Sequence, residues 1–276
     1  MERRKALTLT AAAIATGGIG LATLATAFKP KVKPAAEPKK LEFKGSESPY
    51  AYASLNPTVT AEVAYGDYPD GSCMYGVFNS VISQLADKVG DPFTSFPTQM
   101  MKYGHGGVGG TGTICGALNG GAALIGLMVE EKKVQDALVA ELFRIYESSP
   151  LPVFEPDKPA MDFTPPPSVA ESFLCHASTT RWGKTTGFRI DSKERKERCR
   201  RLTADVAAHT VEILNNYHSN SFVANSHDNG GVRTCMTCHG SEGKLGNTSG
   251  KMSCTSCHTK SVGHKLFGDV HYKLMD

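Results

Sequence analysis

The sequence predicts a mainly α fold, in which a helical N-terminal domain precedes a small irregular C-terminal segment. Apolar residues recur at helical spacing in several stretches between residues 72 and 216. Clusters of Gly and Pro separate these stretches, as expected of loops between helices. The last 60 residues contain few large apolar side chains. So short a segment cannot form a core from protein alone, so we expect a bound group to supply the missing apolar bulk.

The N-terminus reads as an export signal followed by a tether. A basic start, an apolar run and the small-residue site Ala25-Thr26-Ala27 predict a cleaved signal peptide over residues 1–27. A retained anchor fits less well, because polar residues and glycines interrupt the apolar run. Arg3-Arg4 leaves the Sec and twin-arginine routes both open. Residues 28–48 are rich in Lys and Pro, which predicts an extended tether. We therefore expect a periplasmic protein.

Periodicity predicts four helices in the domain that spans residues 49–216. The long fourth helix should turn an apolar stripe that includes Cys199 and His209 towards the core. The charged residues at its start, among them Glu197, Arg198 and Arg201, are expected to form a solvated face. A glycine-rich stretch, 104–112, leads into the second helix, whose Gly and Ala residues suit close packing. The predicted helices are 72–89, 113–129, 132–146 and 192–216, with a loop over 148–167.

Two Cys-x-x-Cys-His motifs lie in the C-terminal segment, residues 217–276. This spacing lets two thiols form thioethers to one porphyrin and places the following His beneath the iron. Zinc also binds paired Cys-x-x-Cys motifs, but it does not require a His after each second Cys. The motifs predict two covalently bound c-type haems. Their thioether residues are Cys235, Cys238, Cys254 and Cys257, and their proximal iron ligands are His239 and His258.

A second axial ligand for each haem iron has to come from elsewhere in the chain. His218 ends the long helix where the haem segment begins, His264 follows the second motif, and His176 stands beside Cys175. These three are the candidate distal ligands, although a ligand could also cross a dimer interface. A second His keeps the reduction potential low, whereas a Met ligand would raise it.

Four cysteines remain outside the haem motifs: Cys73, Cys115, Cys175 and Cys199. They could form two disulfides, stay as buried thiols, or bind an iron–sulfur cluster. Their spacing alone favours none of these. Cys115 lies at a predicted helix start beside the glycine-rich stretch, where the helix dipole favours a thiolate.

Widely spaced single cysteines, one of them in Cys115-Gly116-Ala117-Leu118-Asn119-Gly120, resemble the redox-associated C-GCAxxG-C-C family. With two haem motifs added, the chain resembles the split-Soret cytochromes c of sulfate-reducing bacteria. The chain departs from the family motif in having Ile114 before Cys115 and Gly116 after it. The resemblance implies a helical fold, a dimer with closely packed bis-His haems, and an iron–sulfur site lined by the four cysteines.

These features together predict a periplasmic dihaem electron carrier rather than an enzyme. The alternative is a haem enzyme that reduces a small nitrogen oxide or peroxide at a five-coordinate iron. The expected partners are redox proteins and a second copy of the chain. Nucleic acid is not expected, because the chain is close to neutral once the signal is removed. Stable membrane insertion of the mature protein is not expected either.

Overall fold

The computed structural model of the chain describes residues 50–223 and 230–256. Helices dominate the described residues, and the predicted mainly α class is confirmed. The predicted signal peptide and tether lie outside the described residues. Among the residues described, no helix is both long and apolar enough to cross a membrane. The α-helices are α1 (Pro57–Val89), α2 (Gly116–Met128), α3 (Lys132–Ser148), α4 (Cys175–Thr186), α5 (Lys193–His218) and α6 (Gly230–His239).

Helix α1 begins well before the predicted start at Ser72. Asn56 caps it by accepting hydrogen bonds from the backbone N–H groups of Thr58 and Val59, and a proline stands in the first turn. Ser72 itself has a non-helical backbone, with φ 65° and ψ −160°, so α1 consists of two helical arms joined at a kink. Glycine and proline interrupt the first arm, so the sequence shows no continuous apolar periodicity there and did not predict a helix.

The core is built from the second arm of α1 together with α2, α3 and α5. Phe78 and Leu85 of α1, Leu124 of α2 and Val211 of α5 are all buried in one cluster. The predicted close packing of α2 is confirmed at Gly121, because a β-carbon there would stand 2.5 Å from a Leu142 methyl group. The helices therefore approach one another at a distance that only the small residues allow.

Helix α4 was not predicted from the sequence, because its polar residues and Gly183 give it little apolar periodicity. It is anchored by Trp182, which is fully buried and donates a hydrogen bond to the Pro166 carbonyl over 2.9 Å. It ends at Gly187, which has a left-handed φ of 77°. The segment before it, predicted as a loop, includes half of a two-stranded antiparallel sheet: β1 (Pro150–Leu151) pairs with β2 (Ser168–Val169).

The C-terminal segment contributes no described residue to the buried core. It contains α6 and a short 3₁₀ helix, Cys254–Ser256, while a longer 3₁₀ helix, Thr98–Gly104, belongs to the helical body. The backbone N–H of Ser253 donates to Glu147 of α3 over 3.2 Å, and Met252 lies 3.6 Å from the Ser172 hydroxyl. These contacts join the beginning of the second haem motif to the helical body.

Candidate metal centre

The four cysteines outside the haem motifs converge from four different helices. Cys73 follows the kink of α1, Cys115 caps α2, Cys175 begins α4, and Cys199 lies in the first third of α5. The Cys73 thiol interacts electrostatically with each of the other three. All four are free thiols, and three of them are buried. Residues far apart in the sequence thus form one group, called the four-cysteine site below.

A short backbone pairing brings Cys115 and Cys175 together. Ile114 and Leu174 form an isolated antiparallel bridge. Next to it, the Cys115 N–H donates to the Phe173 carbonyl and the Cys175 N–H donates to the Thr113 carbonyl, each over 2.8 Å. Because this bridge keeps residues 113–115 extended, α2 begins at Gly116 rather than at the predicted Thr113.

Two backbone features position the glycine-rich stretch and Cys73 at the four-cysteine site. A β-carbon at Gly116 would clash with the Gly104 carbonyl oxygen, so the glycine-rich stretch packs directly against the start of α2. The positive φ of Ser72 is rare for a residue with a side chain and costs of the order of 1–3 kcal/mol. The kink there turns the chain immediately before Cys73, which faces the other cysteines.

A cavity of about 610 Å³ opens beside the four-cysteine site. Cys73, Cys175 and Cys199 line it, whereas Cys115 is 3 % exposed and is not part of the lining. Among the described residues that line the cavity, basic side chains dominate the charged groups, and the one carboxylate, Glu197, is paired with an arginine of α5. The basic lining residues are Lys193, Arg195, Lys196 and Arg200.

Burial raises the pKa values of Cys73, Cys115 and Cys175. Burial raises the pKa of Cys175 to about 12, and the neighbouring Cys115 and Cys199 add to the effect. The pKa of Cys73 lies well above its usual value for the same reasons. Burial also raises the pKa of Cys115; the Tyr146 hydroxyl and the backbone N–H of Ala117 at the start of α2 oppose this rise but do not outweigh it. Burial therefore favours the protonated form of these three thiols, and a bound cation would favour their thiolates.

The four-cysteine site can be compared with the needs of a single metal ion and of an iron–sulfur cluster. Within residues 50–223 and 230–256, no three His, Cys, Asp or Glu side chains stand close enough together to hold one metal ion. An iron–sulfur cluster places its own iron and sulfide between the cysteines, so its ligands stand farther apart. Two buried polar atoms at the site, the Tyr146 hydroxyl and Arg198 Nε, lack a hydrogen-bond partner among the described residues. The two polar atoms fit a group that offers hydrogen-bond acceptors beside the thiols.

Several charged residues at the start of α5 are buried, although the sequence predicted that they would form a solvated face. Glu197, Arg198 and Arg201 are 4 %, 1 % and 4 % exposed, so the prediction is wrong for these three. Glu197 pairs with Arg201 over 2.8 Å and accepts a hydrogen bond from the Tyr65 hydroxyl over 2.8 Å. The predicted inward stripe is correct at Cys199, but His209 is only partly buried and lies 2.9 Å from Glu212.

Sequence reasoning missed the arginines that accompany Cys199. Arg195 Nη1 lies 3.8 Å from Cys199 Sγ, and Arg198 interacts electrostatically with Cys199 and Cys115. Residues three or four positions apart share a helix face, so Arg195 and Cys199 at spacing four were the available signal. His105, which lines the cavity, had no role assigned from the sequence.

The first haem motif ends helix α6. His239 Nδ1 lies 3.0 Å from Asn247 Oδ1, a contact that orients the ring and suits a histidine that binds iron through its other nitrogen. Cys254 of the second motif lies beside Cys235 of the first: burial raises the pKa of Cys254 and the neighbouring Cys235 raises it further. The two motifs therefore begin side by side. Cys257 and His258 lie outside the described residues, and the roles of the haem-motif residues stay predictions.

The candidate distal ligands occupy different places. His218 ends α5, is exposed, and stacks on Tyr52 with ring centroids 4.7 Å apart. Partial burial lowers its pKa, which favours the neutral ring that iron binding requires. His176 is exposed in the first turn of α4, next to the four-cysteine site. His264 lies outside the described residues. These positions do not identify a distal ligand, and the three candidates stay predictions.

Comparison with known proteins agrees with this geometry. Residues 76–213, which include Cys115, Cys175 and Cys199, match the family described as "Putative redox-active protein (C_GCAxxG_C_C)". The chain is 38 % identical over 212 residues to the split-Soret cytochrome c of Desulfovibrio desulfuricans, which covers 74 % of this chain and 76 % of the relative. It also matches a solved structure of the split-Soret cytochrome c from that organism, described as holding a novel iron centre. That match has a TM-score of 0.72 and 33 % identity, and it covers 78 % of this chain and 92 % of the other.

The fold, the cysteines and these relatives define a redox protein with haem or iron cofactors. More particularly, the chain belongs to the C_GCAxxG_C_C family and, within it, to the split-Soret cytochromes c.

Proposed function

We propose that the protein is an exported electron carrier that holds two c-type haems and one iron–sulfur cluster. The observation that carries the proposal is the convergence of Cys73, Cys115, Cys175 and Cys199 on one site, in a chain that also contains two haem-attachment motifs. Both kinds of centre exchange single electrons, so a chain that holds them can pass electrons between redox partners.

The four cysteines would hold the cluster as thiolates. Their positions on four different helices would tie the packing of α1, α2, α4 and α5 to the presence of the metal. The basic lining of the cavity would offset the negative charge of the thiolates and attract an acidic partner to this face. The cluster supplies one-electron redox chemistry when it is bound.

Haem attachment would use Cys235 and Cys238 for the first haem and Cys254 and Cys257 for the second. His239 and His258 would be the proximal ligands. Because the two motifs begin side by side, the haems would lie close together, and the exposed haem edges would exchange electrons. Bis-His ligation, with His218, His176 or His264 as the source of distal ligands, and pairing of two chains complete the proposal. Cleavage after Ala27 would release the mature protein into the periplasm.

The first test is the composition and spectrum of the purified full-length protein. We expect two haems per chain, together with non-haem iron and acid-labile sulfide. The reduced spectrum should be low-spin, should show a Soret band split by contact between haems, and should not change when carbon monoxide is added. A response to carbon monoxide would show an open iron and would replace the carrier with the haem enzyme as the preferred function.

The second test separates the cluster from the haems. Replacing Cys199→Ser should remove the non-haem iron and leave both haems in place. Thr210→Ser is the matched control, because Thr210 is fully buried on the same helix and bonds only to the backbone of its own turn. Equal non-haem iron in the two variants would contradict a role of Cys199 in metal binding. Disulfides detected by mass spectrometry in the untreated protein would contradict the cluster altogether.

A further inference from the structure

We propose that Arg198 and Tyr146 form a donor pair behind the four-cysteine site that donates hydrogen bonds to cluster sulfur and raises the cluster's reduction potential. The inference rests on the proposed function, because it concerns residues that act on the cluster proposed above. It assigns these two residues a positioning role, not the role of iron ligands.

Arg198 is a buried cation that has no carboxylate partner among the described residues. The residue is 1 % exposed, and its Nη2 donates to the Ser178 hydroxyl over 2.9 Å. Its Nε has no hydrogen-bond partner in the described part of the chain, and no carboxylate there lies within ion-pair distance of it. Arg201, one turn away on the same helix, is equally buried but pairs with Glu197 over 2.8 Å. Arg198 therefore differs from its neighbour in lacking the anion that a buried guanidinium needs.

Tyr146 reaches the same place from helix α3. It is 2 % exposed, and its hydroxyl lacks a hydrogen-bond partner among the residues that the structure describes. The groups that the hydroxyl faces are Cys115 and Ser178, and Arg198 interacts with it electrostatically. Two unsatisfied donors, contributed by α3 and α5, thus meet behind the same cysteines.

Sulfur is the acceptor that would satisfy both donors. A protonated thiol is a weak acceptor, whereas a thiolate or a sulfide carries negative charge and accepts a stronger hydrogen bond. Arg198 interacts most strongly with Cys199 and also with Cys115, so both lie within its reach. When the cysteines hold iron, the donor pair would gain the partners that it otherwise lacks.

The expected effect on the cluster follows from its charge. Reduction adds one negative charge to a centre that already carries four thiolates. Fixed donors and a buried cation stabilise the reduced form more than the oxidised form, so they raise the potential. Arg195 also contacts Cys199 but is partly exposed, so water and salt weaken its contribution relative to that of the donor pair.

The experiment compares two Tyr→Phe variants of the full-length, cluster-loaded protein. Tyr146→Phe removes one hydroxyl from the donor pair and keeps the ring. Tyr65→Phe is the matched control: Tyr65 is 3 % exposed, and its hydroxyl bonds to Glu197 and to the Ala160 N–H, each over 2.8 Å. The readout is the cluster midpoint potential from a redox titration followed by electron paramagnetic resonance. The haem potentials are measured in the same titration.

We expect Tyr146→Phe to lower the ratio of reduced to oxidised cluster at a given potential by about tenfold, since hydrogen bonds to charged groups are strong. For one electron this is a shift of about 59 mV. Tyr65→Phe and the haem potentials should not change. Arg198→Gln should lower the cluster potential further, whereas Arg201→Gln should lower stability without moving it.

If the cluster-loaded Tyr146→Phe protein has the wild-type cluster potential, the proposed role of the donor pair is overturned and the proposed function is left intact. A cluster potential that rises, or that shifts equally in Tyr65→Phe, would also overturn it. A wild-type protein without non-haem iron would overturn both proposals together.

Discussion

The carboxyl group of Asp205 gives the folded protein a dependence on pH whose size follows from the structure. Asp205 lies on α5, is 5 % exposed, and accepts a hydrogen bond from the Val153 N–H over 3.0 Å. Burial raises its pKa from the usual 3.8 to about 6, and the effect outweighs the opposing hydrogen bond and the nearby His209 and Arg198. The folded state therefore holds this proton more tightly than the unfolded state does.

The direction and the size of the effect follow from linkage. Between pH 3.8 and about 6 the folded chain binds more protons at Asp205 than the unfolded chain, so stability falls as the pH rises through this window. A shift of roughly two units, at about 1.4 kcal/mol each, amounts to about 3 kcal/mol. Above pH 6 the contribution of this group no longer changes.

The perturbation is Asp205→Asn, which keeps an oxygen that can accept from Val153 but cannot ionise. The free energy of unfolding is measured by urea titration with helical circular dichroism at pH 4 and at pH 7. We expect the variant to equal the wild type at pH 4 and to exceed it by up to about 3 kcal/mol at pH 7. Asp136→Asn is the control, because it removes an exposed carboxylate and shows how much the loss of a carboxylate that is not buried changes stability. A difference between Asp205→Asn and the wild type that stays the same at both pH values would refute burial as the cause.

Two further predictions concern packing and charge. Gly116→Ala should cost about 1–3 kcal/mol or more and reduce the non-haem iron, because the new methyl group would meet a backbone oxygen. Gly126→Ala, in the same helix with nothing within 4 Å, should instead stabilise by about 0.5–1 kcal/mol; equal effects in thermal unfolding would contradict the packing argument. Glu197→Gln should cost about 3 kcal/mol, since it leaves the buried Arg201 unpaired. Asp136→Asn should leave the free energy of unfolding almost unchanged in the same urea titration. If Glu197→Gln and Asp136→Asn lowered it equally, the buried Glu197–Arg201 pair would not be the cause of the loss.

The periodic helices were predicted well because their signal is local. Helix α3 begins at the predicted Lys132 and α5 one residue after the predicted Ser192, which caps it. Helix α4 and the first arm of α1 escaped prediction because their apolar contacts come from distant elements and leave little periodicity in their own sequence. Tertiary packing, rather than propensity, holds these two segments as helices.

The chemistry of haem attachment was predicted from the sequence alone, and it stays a prediction. Its requirements are local, because two thiols and one imidazole must stand at fixed positions within five residues. The division of the cysteines into haem-motif residues and a remaining set of four followed directly from that spacing. The resemblance to the C_GCAxxG_C_C family could also be seen in the sequence, and the comparisons confirm it.

Only the tertiary structure decided what the other four cysteines could do. Cys73 and Cys199 stand on different helices, and no sequence spacing required that their thiols meet. The same is true of Arg198 and Tyr146: the sequence presents them as a surface charge and as the last residue of a predicted helix, and the fold buries both. The physical reason is that contacts between distant segments depend on how helices pack, and burial then decides which charges a site contains. A motif within five residues does not depend on that packing, whereas a site assembled from four helices does.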